Sequence, residues 1–304
     1  MSQNNIQTSL AISKGNFAFC LSNDEKLLII IQNDRLISYE LSTGKQNIIT
    51  LFDEINLNHT KICISSDNSI CCASAQATIN GQLSFILLKF DLQKKLLSET
   101  YLNYHLMQVE LLEFIPNSQI LISLSIDATI KLFDFAYQKP RTILTRCQQR
   151  PVYCRLIQNQ NRLIIIDNLS NIKLLDAKNE RLIKSFKLKQ GNCHKAIADE
   201  NGIIALLGKS KKCYLYNLPK QKIIRKYQIT GSFNLFKVLT DYIIFQDNDL
   251  IMLINIATCQ QKSITLKDIQ NINNMIFQQN LDKLILSDWE QIHIFENILY
   301  FQEQ

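Results

Sequence analysis

The chain has 304 residues, of which 46% are hydrophobic and 20% charged, and its formal net charge at pH 7 is +6. This composition supplies enough apolar material for a sizeable core and too little charge for a disordered protein. Glycine (7) and proline (4) are scarce. The turns must therefore be built largely from Asn, Asp and Ser, whose side chains satisfy backbone groups locally.

The N-terminal stretch and the cysteines bear on the compartment. No apolar core follows the polar start MSQNNIQTS, so no secretory signal is predicted. No apolar run approaches the roughly 20 residues that span a bilayer. The nine cysteines are scattered without a CxxC pair, which favours free thiols in a reducing compartment. We therefore expect an intracellular, cytoplasmic protein, with the nucleus and the cytoskeleton left open.

Taken in chain order, the sequence is a series of short apolar runs separated by polar turns. The first unit contains four such runs, at Phe17–Leu21, Leu27–Ile31, Leu36–Leu41 and Ile48–Phe52. Later runs such as ILISL, LIIID and IIALL are short, rich in β-branched residues and bounded by turn formers, which is typical of buried strands. No stretch carries a helical period of useful length, so the chain is predicted to be all-β.

One strand ending recurs seven times along the chain. An apolar strand closes on an aromatic or aliphatic residue and then a polar one, at Tyr39-Glu40, Phe90-Asp91, Phe133-Asp134, Leu175-Asp176, Tyr216-Asn217, Ile254-Asn255 and Phe295-Glu296. Most of the spacings are close to about 40–45 residues, the length of a four-stranded propeller blade. We therefore predict a seven-bladed β-propeller of four-stranded antiparallel blades, as one domain over residues 1–304.

The two ends of the chain are predicted to meet in the last blade. A blade cannot bury both faces of its sheet alone, so blades stack radially and a closed ring removes the unpaired ends. Ile6–Ile12 precedes the first inner strand and has no other strand to pair with. We expect it to form the outermost strand of the last blade and to close the ring. Ile298–Gln302 is the alternative for that position.

The third unit carries the most specific pattern, YHLMQVELLEFIPNSQILISLSIDATIKLFDF. It resembles one complete repeat of the WD-repeat β-propeller family. The resemblance places His105 on the family's loop histidine, Ser123 on its strand serine, Asp127 on its turn aspartate and Phe133 on its strand tryptophan. In the family these four residues form a hydrogen-bonded network within the blade. The resemblance thus implies a structural network of His105, Ser123 and Asp127.

The sequence departs from the family pattern at several positions. Phe133 has no N–H to donate in place of the tryptophan. Tyr104 stands where the family has a glycine before the histidine, and Ala128 stands at the turn glycine. The single tryptophan of the chain, Trp289, follows a turn aspartate and lies at none of the seven strand endings. These departures indicate a divergent member, held together by apolar strand packing more than by polar networks.

Patterns that carry catalysis or metal binding are missing from the sequence. There is no G-x-S-x-G elbow, no Gly-rich phosphate loop and no H-E-x-x-H. Cys193-His194 is the only Cys–His neighbour pair, and a metal site there would need further ligands that no spacing suggests. We expect a protein that is not an enzyme, with no cofactor, no metal and no catalytic residue.

Positive charge is concentrated between Lys178 and Lys226, where 13 Lys/Arg stand against 3 Asp/Glu. In a propeller blade the loops before the first strand and between the second and third strands emerge on one face. This placement predicts a cluster that attracts phosphate or an acidic protein surface. Its residues are Lys187, Lys189, Lys195, Lys209, Lys211 and Lys212. A solvated lysine-rich surface without function is the alternative.

The second candidate surface is an insertion in the second unit. That unit exceeds the fourth by about eight residues, and the extra length falls on Ser74–Leu83, which is predicted to form a protruding hairpin on the face of the six lysines. The candidate partner contacts are Ala75, Gln76, Thr78, Asn80 and Gln82. A tolerated insertion is the alternative.

These features favour a non-catalytic protein-interaction scaffold, a subunit of a larger multiprotein assembly. One alternative is a nucleic-acid-associated propeller of a ribonucleoprotein particle, with RNA on the lysine-rich face. Another is a propeller that binds phosphoinositide or an acidic surface. The expected partners are thus other proteins in a complex, or RNA or an acidic protein surface, and no transmembrane segment is predicted.

Overall fold

A computed structural model describes residues 6–11, 17–32, 35–51, 60–79, 81–115, 117–136, 139–146, 149–157, 162–176, 181–189, 191–198, 202–208, 212–228, 236–238, 242–247, 250–255, 260–266, 269, 272, 274–278, 283–288 and 291–295. Within these ranges the secondary structure is entirely β, and none of them contains a helix. No helix that could cross a membrane is therefore found among these residues.

The strands form seven sheets, each of four antiparallel strands. The predicted all-β, seven-bladed propeller is thus confirmed. The first half of the chain contributes β1 (Ile6–Ala11), β2 (Phe17–Leu21), β3 (Leu27–Gln32), β4 (Arg35–Glu40), β5 (Gln46–Leu51), β6 (Ile62–Ile64), β7 (Ile70–Ile79), β8 (Gln82–Asp91), β9 (Leu96–His105), β10 (Val109–Phe114), β11 (Ile120–Ser125), β12 (Thr129–Asp134), β13 (Lys139–Arg146) and β14 (Pro151–Ile157). The second half contributes β15 (Arg162–Asp167), β16 (Asn171–Asp176), β17 (Arg181–Lys187), β18 (Cys193–Ala198), β19 (Ile203–Gly208), β20 (Lys212–Asn217), β21 (Lys222–Gln228), β22 (Phe236–Val238), β23 (Tyr242–Asp247), β24 (Leu250–Asn255), β25 (Gln261–Thr265), β26 (Asn274–Gln278), β27 (Lys283–Ser287) and β28 (Gln291–Phe295).

The chain divides into two compact units. The first unit comprises residues 16–196, and the second comprises residues 1–15 together with 197–304. The first unit holds the blades β2–β5, β6–β9, β10–β13 and β14–β17, each in the order of the sequence. The second unit holds β22–β25 and the blade formed by β26, β27, β28 and β1, whereas β18 spans the division. The single domain over residues 1–304 stays a prediction.

The N-terminal strand completes the last blade, as the sequence predicted. β1 pairs antiparallel with β28, from Ile6 opposite Phe295 to Ala11 opposite Gln291. It is the outermost strand of that sheet, whose order is β1-β28-β27-β26. The alternative segment, Ile298–Gln302, lies outside the described residues.

The core of the first unit lies between neighbouring blades. Strand β3 shows why its sequence is an unbroken apolar run: Leu28, Ile29, Ile30 and Ile31 are each at most 1% exposed. In a strand that is covered on both faces, apolar and polar residues do not alternate, because no face is in contact with water. The outer strand β5 is mostly exposed, in agreement with its polar and mixed sequence.

Short serine–aspartate turns join the first two strands of the first two blades. Ser22 Oγ donates to Asp24 Oδ1 at 2.6 Å, and Ser65 Oγ donates to Asp67 Oδ1 at 2.6 Å. The Ser22 hydroxyl holds the pKa of Asp24 below its ordinary value. Asn23 Nδ2 then donates to the Ser65 carbonyl at 2.6 Å. The turns are thus stabilised by serine and aspartate side chains in place of glycine. The Asn23 bond also links the first blade to the second.

The turn between β8 and β9 contains a strained residue, and this strain gives a first prediction. Lys95 is exposed and has a φ of 56°. The left-handed conformation costs a non-glycine residue about 1–2 kcal/mol, whereas the added freedom of glycine in the unfolded chain costs about 0.4–1 kcal/mol. We expect Lys95→Gly to raise the free energy of unfolding by about 0.5 kcal/mol, measured as a higher urea midpoint. Lys95→Ala is the control, because it removes the same charge and keeps the Cβ. A glycine variant that is less stable than the alanine variant would show that the left-handed backbone at position 95 is not strained.

Candidate protein-interaction surface

The third blade is organised around a buried histidine. His105 is 1% exposed, and its Nε2 lies 2.7 Å from Ser123 Oγ. Its Nδ1 lies 3.2 Å from Asp127 Oδ2 and 3.0 Å from Thr129 Oγ1. The structure therefore brings together the three residues that the family resemblance pointed to, and adds Thr129 to them. The arrangement ties the end of β9 to β11 and to the turn between β11 and β12.

Asp127 is the acceptor on which this network depends. Thr129 donates to its Oδ1 through both the hydroxyl, at 2.6 Å, and the backbone N–H, at 2.9 Å. The backbone N–H of Leu106 donates to its Oδ2 at 2.9 Å. Burial raises the pKa of this carboxyl, but the hydrogen bonds from His105, Thr129 and the two backbone N–H groups outweigh burial and hold the pKa well below its usual range. Asp127 is therefore a fixed negative charge at neutral pH.

Tyr104 adds a hydroxyl group to the network that the sequence comparison did not anticipate. Its hydroxyl lies 3.2 Å from Ser123 Oγ, and the side chain is buried at 7% exposure. Phe133 occupies the expected strand position and contributes only ring contacts. Tyr104, where the family resemblance places a glycine, thus supplies a hydroxyl group to Ser123. The ring of Phe133 has no polar group that could do so.

The network presents two exposed apolar side chains. Leu106 and Met107 directly follow His105 and are 79% and 46% exposed. Their backbone is nevertheless fixed, because Leu106 N–H donates to Asp127 and Ser125 Oγ donates to the Met107 carbonyl at 3.1 Å. Large apolar side chains held rigidly in solvent are typical of interaction sites rather than of inert surface.

The insertion in the second blade forms a regular hairpin rather than a loop. Strands β7 and β8 pair without interruption over their whole length. Of the candidate contacts on it, Ala75 is buried, Gln76 is half-buried, and Thr78 and Gln82 are exposed. Asn80 lies outside the described residues. The hairpin is thus present as predicted, with only some of the five positions available to a partner.

The projecting end of this hairpin begins level with the end of β9. Phe85 on β8 is paired with His105, the last residue of β9. Leu83 lies two residues before Phe85 and is 60% exposed. We call Leu83, Leu106 and Met107 the apolar rim. Its residues come from the β7–β8 hairpin and from the loop between β9 and β10.

Charged side chains on the inner strands lie next to this rim. Arg150 Nη2 is 2.9 Å from Glu110 Oε1, and Arg155 Nε is 4.0 Å from Glu113 Oε1. Glu110 and Glu113 belong to β10, whereas Arg155 lies on β14 and Arg150 directly precedes it. The two pairs therefore connect the inner strands of the third and fourth blades, and Glu110 follows the apolar rim by three residues.

Two lysines complete this group. Lys195 on β18 is partly buried, and burial is the main cause of its lowered pKa. The positive charge of Lys61 lowers that pKa further, and the negative charge of Glu110 opposes the effect. Lys61 and Glu110 are thus the charged groups that act on Lys195.

The other lysines of the predicted basic face are distributed over both units. Lys187 is exposed at the end of β17 and Lys189 is exposed in the turn that follows, both in the first unit. Lys212 is exposed at the start of β20 in the second unit. Lys209 and Lys211 lie outside the described residues. The convergence of the six lysines on one face stays a prediction.

Cys193 and His194 occupy opposite environments on β18. Cys193 is 3% exposed and its Sγ donates to the Lys195 carbonyl at 3.1 Å, whereas His194 is exposed. Among the residues that the structure describes, no group of three or more His, Cys, Asp and Glu is arranged to hold a metal ion.

Comparisons with known proteins show similarity in structure and none in sequence. No protein-family model matches the chain, and neither does any curated protein. A chain of the crystal structure of a mitotic checkpoint complex superposes with a TM-score of 0.75 at 11% identity, covering 97% of this chain and 92% of that chain. The β-propeller domain of Cps50 (Swd1) from Myceliophteria thermophila gives 0.78 at 12%, covering 96% and 99%, and U3-55K gives 0.71 at 13%, covering 95% and 98%. The shared property is the fold.

The most informative surface of this propeller was missed by sequence reasoning. Leu106 and Met107 were inside the segment that carried the family resemblance, but nothing in an apolar residue pair marks it as exposed. A usable signal did exist: both residues lie between the loop histidine and the first strand, where the turn must run over the surface.

Proposed function

We propose that this chain is a non-catalytic protein-interaction scaffold of the WD-repeat type, a subunit of a multiprotein assembly that contacts its partner through the apolar rim. The observation that carries the proposal is the pair Leu106 and Met107, exposed at 79% and 46% on a backbone that the Asp127 network holds in place. The His105–Ser123–Asp127 hydrogen bonds support the family assignment. One of the structural neighbours is itself part of a complex.

The energetics favour this site over the rest of the described surface. Complete burial of an exposed Leu or Met side chain contributes about 1.5–3 kcal/mol. A fixed loop does not lose backbone freedom when a partner binds, so little of this gain is offset by ordering. Other exposed apolar residues, such as Leu182 and Ile183 on the edge strand β17, are flanked by Arg181 and Lys184. Charge on an edge strand is typical of protection against association.

The proposal is tested by removing the rim. We expect the double substitution Leu106→Ser, Met107→Ser to weaken partner binding by at least about tenfold, because the apolar contacts are lost while the fold remains. The measurement is quantitative mass spectrometry of proteins that co-purify with tagged wild-type and variant chains from the cells that contain the protein.

The matched control is Leu182→Ser, Ile183→Ser, an apolar pair on β17 whose side chains are 58% and 48% exposed. The control should recover the same partners as the wild type. Equal recovery by the rim variant, or equal loss by the control, would contradict the assignment of the interface to the rim.

A second candidate function is RNA binding in a ribonucleoprotein particle. The observation in its favour is the exposed basic run Arg181, Lys184, Lys187 and Lys189 in the fourth blade. Its signature is an affinity that falls steeply with salt, since each phosphate contact releases counterions. Binding of a single-stranded RNA oligonucleotide that is insensitive to salt, or unchanged by Lys187→Glu and Lys189→Glu, would exclude it.

A further inference from the structure

We infer that the β7–β8 hairpin binds its partner by strand addition, in which an extended segment of the partner protein pairs its backbone with the free edge of β7. This binding mode rests on the proposed function and deepens it, because it states how the main chain of the partner is held beside the apolar rim. The expected occupant is an extended protein segment with apolar side chains at every second position.

The register of the hairpin determines which backbone groups of β7 point away from β8. The Leu92 N–H donates to the Ser69 carbonyl at 2.9 Å, and the pairing of β7 with β8 continues from there without a register shift. Hydrogen-bonded pairs recur at every second residue of an antiparallel ladder, so the odd-numbered residues of β7 bond to β8. The even-numbered residues direct their N–H and C=O groups to the opposite edge. Ser74 agrees with this assignment, because its N–H donates to the Lys61 carbonyl at 2.8 Å.

The opposite edge of β7 is covered by β6 only as far as Ser74. Strand β6 has three residues and pairs with β7 no further than Ala73. The Lys61 N–H then donates to the side-chain Oγ of Ser74 at 3.0 Å instead of to its carbonyl, so the two strands separate at this point. Gln76 and Thr78 continue β7 beyond it. Within the described part of the chain, no strand pairs with them on this edge.

This edge lacks the features that keep other edge strands from pairing. The edge strand β17 carries Arg181, Lys184 and Lys187, and its pairing with β16 contains a register shift. Charges and bulges of this kind discourage strand addition. The insertion Ser74–Leu83 contains no charged residue, and the β7–β8 register is regular. A regular, uncharged edge is a template for an added strand.

A protein main chain is the ligand that matches the groups on this edge. Gln76 and Thr78 together offer two N–H donors and two C=O acceptors in alternation, as a strand offers to its neighbour in a sheet. An extended polypeptide carries the complementary alternation at the same spacing. Since the insertion has no charged residue, it supplies none of the cationic contacts on which phosphate binding depends.

The faces of the hairpin indicate which side chains the added strand needs. Thr78 is paired with Leu83, and residues opposite each other in an antiparallel pair share one face of the sheet. Leu87 lies on the same face of β8, because side chains alternate along a strand. It belongs to one apolar cluster with Val109, the first residue of the third blade. This face is thus directed at the third blade, and every second side chain of an added strand would project to the same side as Leu83.

The test begins with a selection from a phage-displayed library of random twelve-residue peptides on the immobilised full-length chain. The wild type is expected to enrich peptides with Leu, Ile, Val, Met or Phe at alternating positions. The best peptide is then synthesised in versions that each carry one N-methyl group on the backbone, and their affinities are measured by calorimetry. Only every second N–H of an added strand points at β7. N-methylation should therefore weaken binding at least about tenfold at alternate positions and have little effect between them.

Thr78→Pro is the corresponding change in the protein. It removes an N–H that points away from β8, so the pairing within the hairpin is kept, and it should weaken binding of the peptide at least about tenfold. Thr78→Val keeps the N–H and the shape of the side chain and should bind as the wild type does. Hydrogen exchange gives a readout without any variant: the bound peptide should slow exchange at the amides of Gln76 and Thr78. The Ala77 amide, which already bonds to β8, should change little.

The outcomes separate strand addition from the proposed function. N-methyl effects without alternation, or equal affinity of Thr78→Pro and the wild type, would overturn strand addition alone. If alternation is found but Leu106→Ser, Met107→Ser binds the peptide as tightly as the wild type, strand addition stands and the apolar rim fails as the interface. A wild type that enriches no peptide would contradict both, including the case in which two copies of the chain pair through this edge instead.

Discussion

Replacing Phe133 with alanine is expected to lower the free energy of unfolding by about 4 kcal/mol. Phe133 is 1% exposed, and its ring centroid lies 4.5 Å from that of Tyr101 and 4.6 Å from that of Phe135. Truncation removes the transfer free energy of a whole ring and leaves a cavity between strands that cannot collapse. The tilted ring pairs contribute a further ~1 kcal/mol each at most.

Urea denaturation followed by tryptophan fluorescence and far-UV circular dichroism measures this loss. Phe133→Leu is the matched variant, because it retains much of the volume while removing the ring, and it should cost clearly less than the alanine. A loss below about 1 kcal/mol for Phe133→Ala, the range of an ordinary surface substitution, would show that this strand ending does not anchor the blade.

The second large effect is expected at Asp127. Asp127→Asn should lower the free energy of unfolding by about 3 kcal/mol. The buried His105 loses its charged acceptor, and one of the two oxygens that accept from Leu106 and from Thr129 becomes an NH2 donor. Since the same carboxylate fixes the Leu106 backbone, partner binding through the rim should weaken as well. Ser125→Ala, which removes the hydroxyl that donates to the Met107 carbonyl and accepts from Asp127 N–H, should cost less, about 2 kcal/mol.

The stabilising effect of Asp127 has a defined pH dependence. Its pKa is lower in the folded protein than in the unfolded chain, so its contribution is complete above the unfolded value of about 4 and is lost as the pH falls below that value toward the folded one. The wild type should therefore lose more stability between pH 5 and pH 3 than Asp127→Asn does. If the difference in free energy of unfolding between the wild type and Asp127→Asn stays constant from pH 5 to pH 3, the negative charge of Asp127 does not stabilise the fold.

The repeat pattern was enough to predict the blades, because strand spacing and the polar residue after each apolar run are local properties. The seven strand endings, from Tyr39-Glu40 to Phe295-Glu296, set the register of the sheets. The placement of Ile6–Ala11 on β28 followed from the absence of any other strand to pair with. The network around His105 was reached through its resemblance to a known repeat.

The candidate site depends on what the fold brings together, and the sequence does not record that. Arg150 and Glu110 are 40 residues apart in the sequence, and their 2.9 Å contact exists because the fold brings the third and fourth blades together. The predicted cluster of six lysines was grouped by the blade loops expected on one face, and its convergence stays a prediction. The position of Leu106 between the loop histidine and the first strand indicated a surface turn, but the hydrogen bond that fixes its backbone to Asp127 could be seen only in the structure.

Site-specific photocross-linking tests the central claim most directly. A benzophenone amino acid is incorporated at position 106, on the apolar rim, or at position 183, on the edge strand β17, in cells that contain the protein. After irradiation, position 106 is expected to yield a covalent adduct with one partner protein or a small set, and this adduct is expected to be absent at position 183. The same adducts at both positions, or adducts at position 183 alone, would contradict the assignment of the interaction surface.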